Sequence, residues 1–341
     1  MLLLLKGMKT MSKSYHSKIL ALGSAFPDKV LANSDLEKIV DTSDEWIRQR
    51  TGISQRRQLS PGEQNSDLGA RAAKAAIAKA KLDPMDIDLI IYCTCSPDKL
   101  LPATACITQA KIGAMRAVAF DIEAACAGWL IGVSIADQYV KSGAAKNVLV
   151  IGAEALTRFV NFQDRNTCVL FGDAAGAAII SRAQDGEPSR IHPTAMISDG
   201  NFESILDIKA GGSAVPVSPE AIARGDSFIA MNGKEVFKFA VRALVERANE
   251  AMDKAGITAK DIKWLVPHQA NIRIIEAISD KLGFPMDRTL VNLHKYGNTS
   301  SATMPTALDE AVDDGRVQRG DILLFATFGG GLTSAATVVQ W

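Results

Sequence analysis

The chain is 341 residues long and carries 38 Lys and Arg against 38 Asp and Glu, a formal net charge of zero. That length buries a large core, as two domains or one duplicated one, and the balance gives no excess pointing to a nucleic acid or membrane-surface partner. Five cysteines, odd in number and without framework spacing, point to a reducing cytoplasm with free thiols.

The apolar opening run, Met1 to Leu5, ends at Lys6, well short of a signal h-region or a membrane span. Residues 1–17 are expected to form a disordered or extended tail, ahead of an N-terminal half over 18–185 and a C-terminal half over 186–341. Residues 66–80 have a helix pattern, followed by a short loop at Asp83-Pro84-Met85-Asp86 and a buried strand from Leu89. The same order returns at Ala255-Gly256-Ile257 and Asp261-Ile262-Lys263-Trp264-Leu265-Val266, 261 − 86 = 175 residues later. A strand pair, Val148-Leu149-Val150-Ile151-Gly152 and Ile322-Leu323-Leu324-Phe325-Ala326, repeats at 322 − 148 = 174. Each half alternates apolar strands with helical stretches, so a layered α/β fold of two similar halves is expected.

Cys126 follows a strand-like run in Phe120-Asp121-Ile122-Glu123-Ala124-Ala125-Cys126-Ala127-Gly128, at the start of a helix. A helix N-terminus favours the nucleophilic thiolate, and the small neighbours leave room for a substrate; an inert core thiol is the other reading. Carrying the repeat across, 298 − 126 = 172 sets Asn298 of Tyr296-Gly297-Asn298-Thr299-Ser300 at the corresponding turn, so one site can form where the halves meet. His268 follows the second copy of the strand, where an α/β fold carries catalytic groups, or it is a satisfied structural histidine. The run Gly329-Gly330-Gly331 lets backbone N–H groups approach a ligand, as in an oxyanion hole, or makes a tight hairpin. Cys93 and Cys95 alternate in an apolar strand with no second Cys or His pair, which sets metal binding aside, and Cys106 and Cys168 read as core thiols. There is no G-x-S-x-G elbow for a serine hydrolase.

In their order along the chain, Cys126, His268, Asn298 and the glycine run resemble the thiolase superfamily, and most closely the β-ketoacyl-acyl carrier protein synthase III family. Further segments carry the likeness: Asp41-Thr42-Ser43-Asp44-Glu45-Trp46-Ile47, Arg50-Thr51-Gly52-Ile53, Phe171-Gly172-Asp173 and Val266-Pro267-His268-Gln269-Ala270-Asn271. The resemblance implies a five-layered αβαβα thiolase-like fold of two pseudo-equivalent halves. It implies a decarboxylative Claisen condensation of an acyl-CoA primer with malonyl-acyl carrier protein, starting type II fatty acid synthesis. No metal or redox cofactor is implied, and the protein would be a homodimer.

By the same resemblance Cys126, His268 and Asn298 are catalytic, and the N–H groups of Cys126 and Gly330 form the oxyanion hole. Trp46 and Arg165 would sandwich the adenine of coenzyme A and Arg50 would contact phosphate. Gly233, Phe237 and Asn271 would line the pantetheine tunnel with Arg273 at its mouth, and Lys238, Arg273 and Lys281 would dock the acidic carrier protein. Leu101 stands where relatives often carry an aromatic inserted from the dimer partner, so a wider acyl pocket is expected. Trp129 and Ala174 depart from the family's usual Phe and Gly, outside the catalytic set. Two alternatives remain: a specialised condensing enzyme or acyltransferase of secondary metabolism, and a non-catalytic partner subunit, which the complete Cys, His and Asn set argues against.

Overall fold

The computed structural model describes residues 15–341. Most of the expected tail, residues 1–14, lies outside the described residues. Ser17 already belongs to the first strand, and its hydroxyl bonds Asp137 Oδ1 at 2.5 Å.

Two sheets form the frame. Their strands in chain order are β1 (Ser17–Ala25), β2 (Leu89–Cys93), β3 (Val118–Ile122), β4 (Asn147–Ala155) and β5 (Asp173–Arg182) in the first. The second holds β6 (Arg190–Ile191), β7 (Ala195–Ser198), β8 (Trp264–Pro267), β9 (Ile322–Gly329) and β10 (Thr333–Gln340). The first sheet runs β1-β5-β4-β2-β3, with β2 parallel to both β3 and β4; the second runs β8-β9-β10, with β6 and β7 sharing the outer edge of β10. Strands β2 and β4 are buried along their whole length, as continuous apolar runs covered on both faces should be.

Six helices fill the layers: α1 (Asn65–Ala80), α2 (Thr104–Ile112), α3 (Gly128–Lys141), α4 (Gly233–Ala255), α5 (Ile272–Leu282) and α6 (Thr303–Asp313). Leu68, Ala72 and Ala76 of α1 and Ala105 of α2 pack on Ile90 and Leu149 of the first sheet. Trp129 and Val133 of α3 and Met304 and Leu308 of α6 are clamped between both sheets, against Val150 and Phe325. Leu244 and Ala248 of α4 and Ile274 and Ile278 of α5 cover the far side of the second sheet on Leu265 and Leu324. The result is five layers, αβαβα, as the resemblance implied.

The repeat is tighter than the sequence alone indicated. Strand β2 begins 264 − 89 = 175 residues before β8, β4 begins 322 − 147 = 175 before β9, and α3 begins 303 − 128 = 175 before α6. The 3-10 turns leading into α3 and α6, Ala125–Ala127 and Ser300–Ala302, keep the same spacing, and both open on a residue with positive φ, Ala125 at 44° and Ser300 at 48°. The structural counterpart of Cys126 is therefore Ser301, not Asn298. Asn298 lies three residues earlier, opposite Glu123, because the offset of 172 does not follow the elements.

Candidate active site

Both turns meet at the centre of the molecule. Gly152 on β4 makes this possible: a Cβ there would sit 2.4 Å from the Ser301 carbonyl oxygen. On the other side Gly329, at the end of β9, lies against the Cys126 turn, where a Cβ would come within 2.7 Å of the Cys126 nitrogen. Thr327 Oγ1 donates to the Cys126 carbonyl at 2.8 Å. The glycine run is thus both the β9–β10 hairpin connection and part of the site, and Gly330 and Gly331 line a chamber beside Cys126.

Three cavities adjoin one another through shared walls, Phe237 and Asn271 between the first and second and Cys126 and Phe171 between the second and third. The outermost, about 920 Å³, is lined by all seven residues expected to hold coenzyme A: Trp46, Arg50, Arg165, Gly233, Phe237, Asn271 and Arg273. It narrows into a throat of about 120 Å³, where Cys126, His268 and Asn298 meet Phe237 and Phe328. Beyond Cys126 opens a chamber of about 340 Å³, walled by Leu156, Phe171, Leu206, Ile208 and Ile229 with Cys95 and Ser300. Asp207 borders both the outer cavity and the chamber, and burial pushes its carboxyl up.

His268 leaves the end of β8 with its N–H on the Ala326 carbonyl at 2.9 Å. Its ring is buried, Nδ1 lies 2.7 Å from Thr303 Oγ1, and burial holds its pKa down to about 3, so the imidazole is neutral at ordinary pH. Asn298 is anchored through its backbone N–H on the Leu170 carbonyl at 2.8 Å, and its Oδ1 accepts from the Ser300 N–H at 2.9 Å. With Oδ1 occupied, Nδ2 is the end of the amide left for the throat.

Cys126 departs from the expectation of a ready thiolate. Burial, with smaller contributions from Glu154 and Glu123, pushes its thiol up to about 12 against the opposing Ser300 hydroxyl. The single short turn before α3 does not offset the loss of water around the sulfur. Glu154 is itself buried and accepts from Ser96 Oγ at 2.5 Å and from Thr94 and Ser301 hydroxyls at 3.0 Å.

Other residues fall differently from expectation. The Arg165 guanidinium sits 5.1 Å from the centre of the Trp46 ring and donates to the Asp41 carbonyl at 3.0 Å. A ring held between them needs about 7 Å, twice a van der Waals spacing, so the expected sandwich does not fit the position Arg165 occupies here. Asn271 caps α5, accepting from Arg273 N at 2.9 Å and donating to the Arg50 carbonyl at 3.1 Å. Leu101 is 84% exposed on a loop and does not line the chamber of its own chain. Lys238 and Lys281 share a surface groove with Arg242, whereas Arg273 belongs to the mouth of the outer cavity, so the docking trio is split. Cys106 is exposed rather than a core thiol: it lies over the edge strand of the first sheet, its Sγ donating to the Ala119 carbonyl of β3 at 3.5 Å. The sequence pattern assigns no site role to Ser300, Thr303 or Cys95, although the first two stand within five residues of Asn298 and Cys95 is weighed only as a metal ligand.

Among the described residues, no helix is long and apolar enough to cross a membrane. The family descriptions 3-oxoacyl-acyl carrier protein synthase III and its C-terminal region match residues 120–200 and 252–341. The β-ketoacyl-acyl carrier protein synthase III of Roseiflexus castenholzii is 48% identical over 319 residues, 94% of this chain and 96% of that protein. The crystal structure of the Aquifex aeolicus 3-oxoacyl-acyl carrier protein synthase III superimposes with a TM-score of 0.88 at 45% identity, covering 95% of this chain and all of that one. A priming β-ketosynthase from a polyketide pathway superimposes with a TM-score of 0.90 at 34% identity, covering 98% of both chains. The chain belongs to the β-ketoacyl-acyl carrier protein synthase III family, acyltransferase-class condensing enzymes of thiolase fold.

Proposed function

We propose that the protein joins an acyl-CoA primer to malonyl-acyl carrier protein, releasing carbon dioxide and 3-oxoacyl-acyl carrier protein, the first condensation of type II fatty acid synthesis. The observation that carries this reading is the throat in which Cys126, His268 and Asn298 converge, between a polar outer cavity and a chamber that is mostly apolar but carries Glu123 and Asp207 on its wall. Identity of 48% and 45% to the Roseiflexus castenholzii and Aquifex aeolicus synthase III proteins, against 34% to the polyketide ketosynthase, supports it over a secondary-metabolic role.

In the first half-reaction the neutral His268 Nε2 takes the Cys126 proton and the thiolate attacks the thioester carbonyl. The N–H groups of Cys126 and Gly330 hold the oxyanion. The carbon–sulfur bond to coenzyme A breaks, and the departing thiolate takes the proton back from His268. The acyl chain then lies in the apolar chamber.

In the second half-reaction the malonyl thioester loses carbon dioxide. His268 Nε2–H and Asn298 Nδ2–H stabilise the enolate oxygen as charge grows there. The carbanion forms the new carbon–carbon bond at the acyl carbonyl, Cys126 leaves as thiolate, and a proton from water restores the thiol. Each step is a proton transfer, an acyl transfer or the loss of carbon dioxide that leaves its electron pair in the enolate, so the chemistry calls for no external oxidant or reductant.

Trp46 and Arg165 take the adenine once Arg165 moves, Arg50 contacts phosphate, and Gly233, Phe237, Asn271 and Arg273 guide the pantetheine arm. Lys238, Arg242 and Lys281 in one groove, and Arg273 separately at the mouth of the outer cavity, offer an acidic carrier protein positive charge that guides its approach. The free edge of β3 supports a homodimer: among the described residues β3 pairs only with β2, Val118 on it and Met115 just before it are exposed, and Leu100 and Leu101 are exposed on the loop before α2. Leu101 then reaches the chamber of the second copy. The five free thiols suit a reducing cytoplasm.

His268→Ala separates the two half-reactions. Malonyl decarboxylation should fall at least a hundredfold, and more steeply than acylation; retained decarboxylation would sink the assignment of His268.

A further inference from the structure

Ser300 touches the surroundings of all three catalytic residues. Its N–H donates to Asn298 Oδ1 at 2.9 Å, and its carbonyl accepts from Thr303 Oγ1 at 2.9 Å, the same hydroxyl that meets His268 Nδ1. Its side chain lines the acyl chamber together with Cys126. The left-handed backbone at Ser300 is shared by Ala125 in the other half, so the turn itself belongs to the duplicated fold. What is particular to Ser300 is the group it carries there.

The Ser300 Oγ is buried and has no hydrogen-bond partner. A buried hydroxyl left unpaired is costly and is seldom retained without a use. Glu154, a nearby carboxylate, accepts from Thr94, Ser96 and Ser301, and the Ser300 hydroxyl is the smaller, fourth hydroxyl that opposes the burial of that carboxylate. The sulfur beside Ser300 acquires negative charge twice in the proposed cycle: when Cys126 is deprotonated, and when the thioester collapses after condensation.

We propose that Ser300 is a fourth catalytic residue whose Oγ–H donates a hydrogen bond to the Cys126 sulfur whenever that sulfur is anionic. This rests on reading Cys126 as the acyl-carrying nucleophile. The Ser300 proton is not transferred; the thiol proton goes to His268 Nε2, and Ser300 stabilises the anion left behind. Consistent with this, the Ser300 hydroxyl is the largest influence opposing the burial that pushes the Cys126 thiol up.

The test is alkylation of Cys126 by iodoacetamide across pH, scored by peptide mass, in the full chain and in Ser300→Ala and Ser300→Gly. Both variants remove the hydroxyl and keep the N–H on Asn298, while Gly also relieves the left-handed backbone. Loss of one donor to a charged group predicts that alkylation at fixed pH slows about tenfold to hundredfold in both. Acyl transfer from acyl-CoA should slow in parallel, with malonyl decarboxylation within about threefold of the parent.

Alkylation within about twofold of the parent in both variants would overturn the proposal. So would normal rates in Ser300→Gly with impaired Ser300→Ala, which would assign the effect to the backbone. A parallel collapse of decarboxylation would overturn it too, since Ser300 would then only hold Asn298. Because alkylation needs no substrate, failure of the parent protein to accept an acyl group on Cys126 would refute the underlying reading separately.

Discussion

Thr303 Oγ1 stands 2.7 Å from His268 Nδ1 and, on its other side, 2.9 Å from the Ser300 carbonyl. A hydroxyl has one proton and can donate it to only one of these acceptors. When it donates to Ser300, it accepts from Nδ1–H, and Nε2 carries the lone pair that acylation needs. When it turns to Nδ1, Nε2 carries the proton that the enolate needs. Thr303 is thus a positioning residue that accommodates either tautomer of a neutral imidazole.

Thr303→Val keeps the shape and removes this partner. The turnover number should fall about tenfold to hundredfold with KM little changed, and Thr303→Ser should restore it. Nitrogen-15 shifts of His268 report the tautomers; an unchanged spectrum in the valine variant would refute the role.

The resting thiol makes a distinct prediction. With the Cys126 pKa pushed up to about 12, the thiolate fraction grows about tenfold per pH unit. The rate of iodoacetamide alkylation at Cys126 should climb steadily from pH 7 to 9. A plateau near pH 8 would show a thiolate already formed at rest.

His268 links stability to acid. Unfolded, its imidazole takes up a proton as the pH falls below about 6.5; folded, burial holds its pKa down to about 3. The unfolded state therefore binds more protons in this window. The His268 contribution is intact above pH 6.5 and is lost at about 1.4 kcal/mol per unit as pH falls toward 3. The urea midpoint of His268→Gln should lose less on acidification than that of the parent, and identical acid sensitivity would contradict the burial argument.

Gly329→Ala tests the close approach at the nucleophile. The added methyl would sit 2.7 Å from Cys126 N and 3.0 Å from Ala127 N, both backbone atoms that cannot rotate away. We expect a loss of about 1–3 kcal/mol in stability and at least a hundredfold slower acylation. Thermal melting and single-turnover acylation measure the two effects separately.

Much of this was legible in the sequence because it is carried by pattern. The duplication was readable from Asp86 and Asp261, and the outer cavity collects every residue expected to bind coenzyme A. The pairing of Cys126 with Asn298 failed because it matched two polar turns rather than two elements; the left-handed Ala125 and Ser300 define the true register with Ser301. The thiolate expectation failed for a different reason. A helix start is visible in sequence, but the depth of burial around Cys126 and the Glu154 carboxylate sixty residues from Thr94 depend on how distant strands pack. The closed contact of Arg165 on Trp46 is likewise a side-chain conformation that no motif specifies.

The acyl-carrying role proposed for Cys126 is open to direct measurement. Incubation with a series of acyl-CoA thioesters, followed by intact mass and peptide mapping, should find one acyl group per chain on Cys126, released by neutral hydroxylamine and absent from Cys126→Ala. The same stable adduct in Cys126→Ala, or an acyl group mapped to another residue, would contradict it.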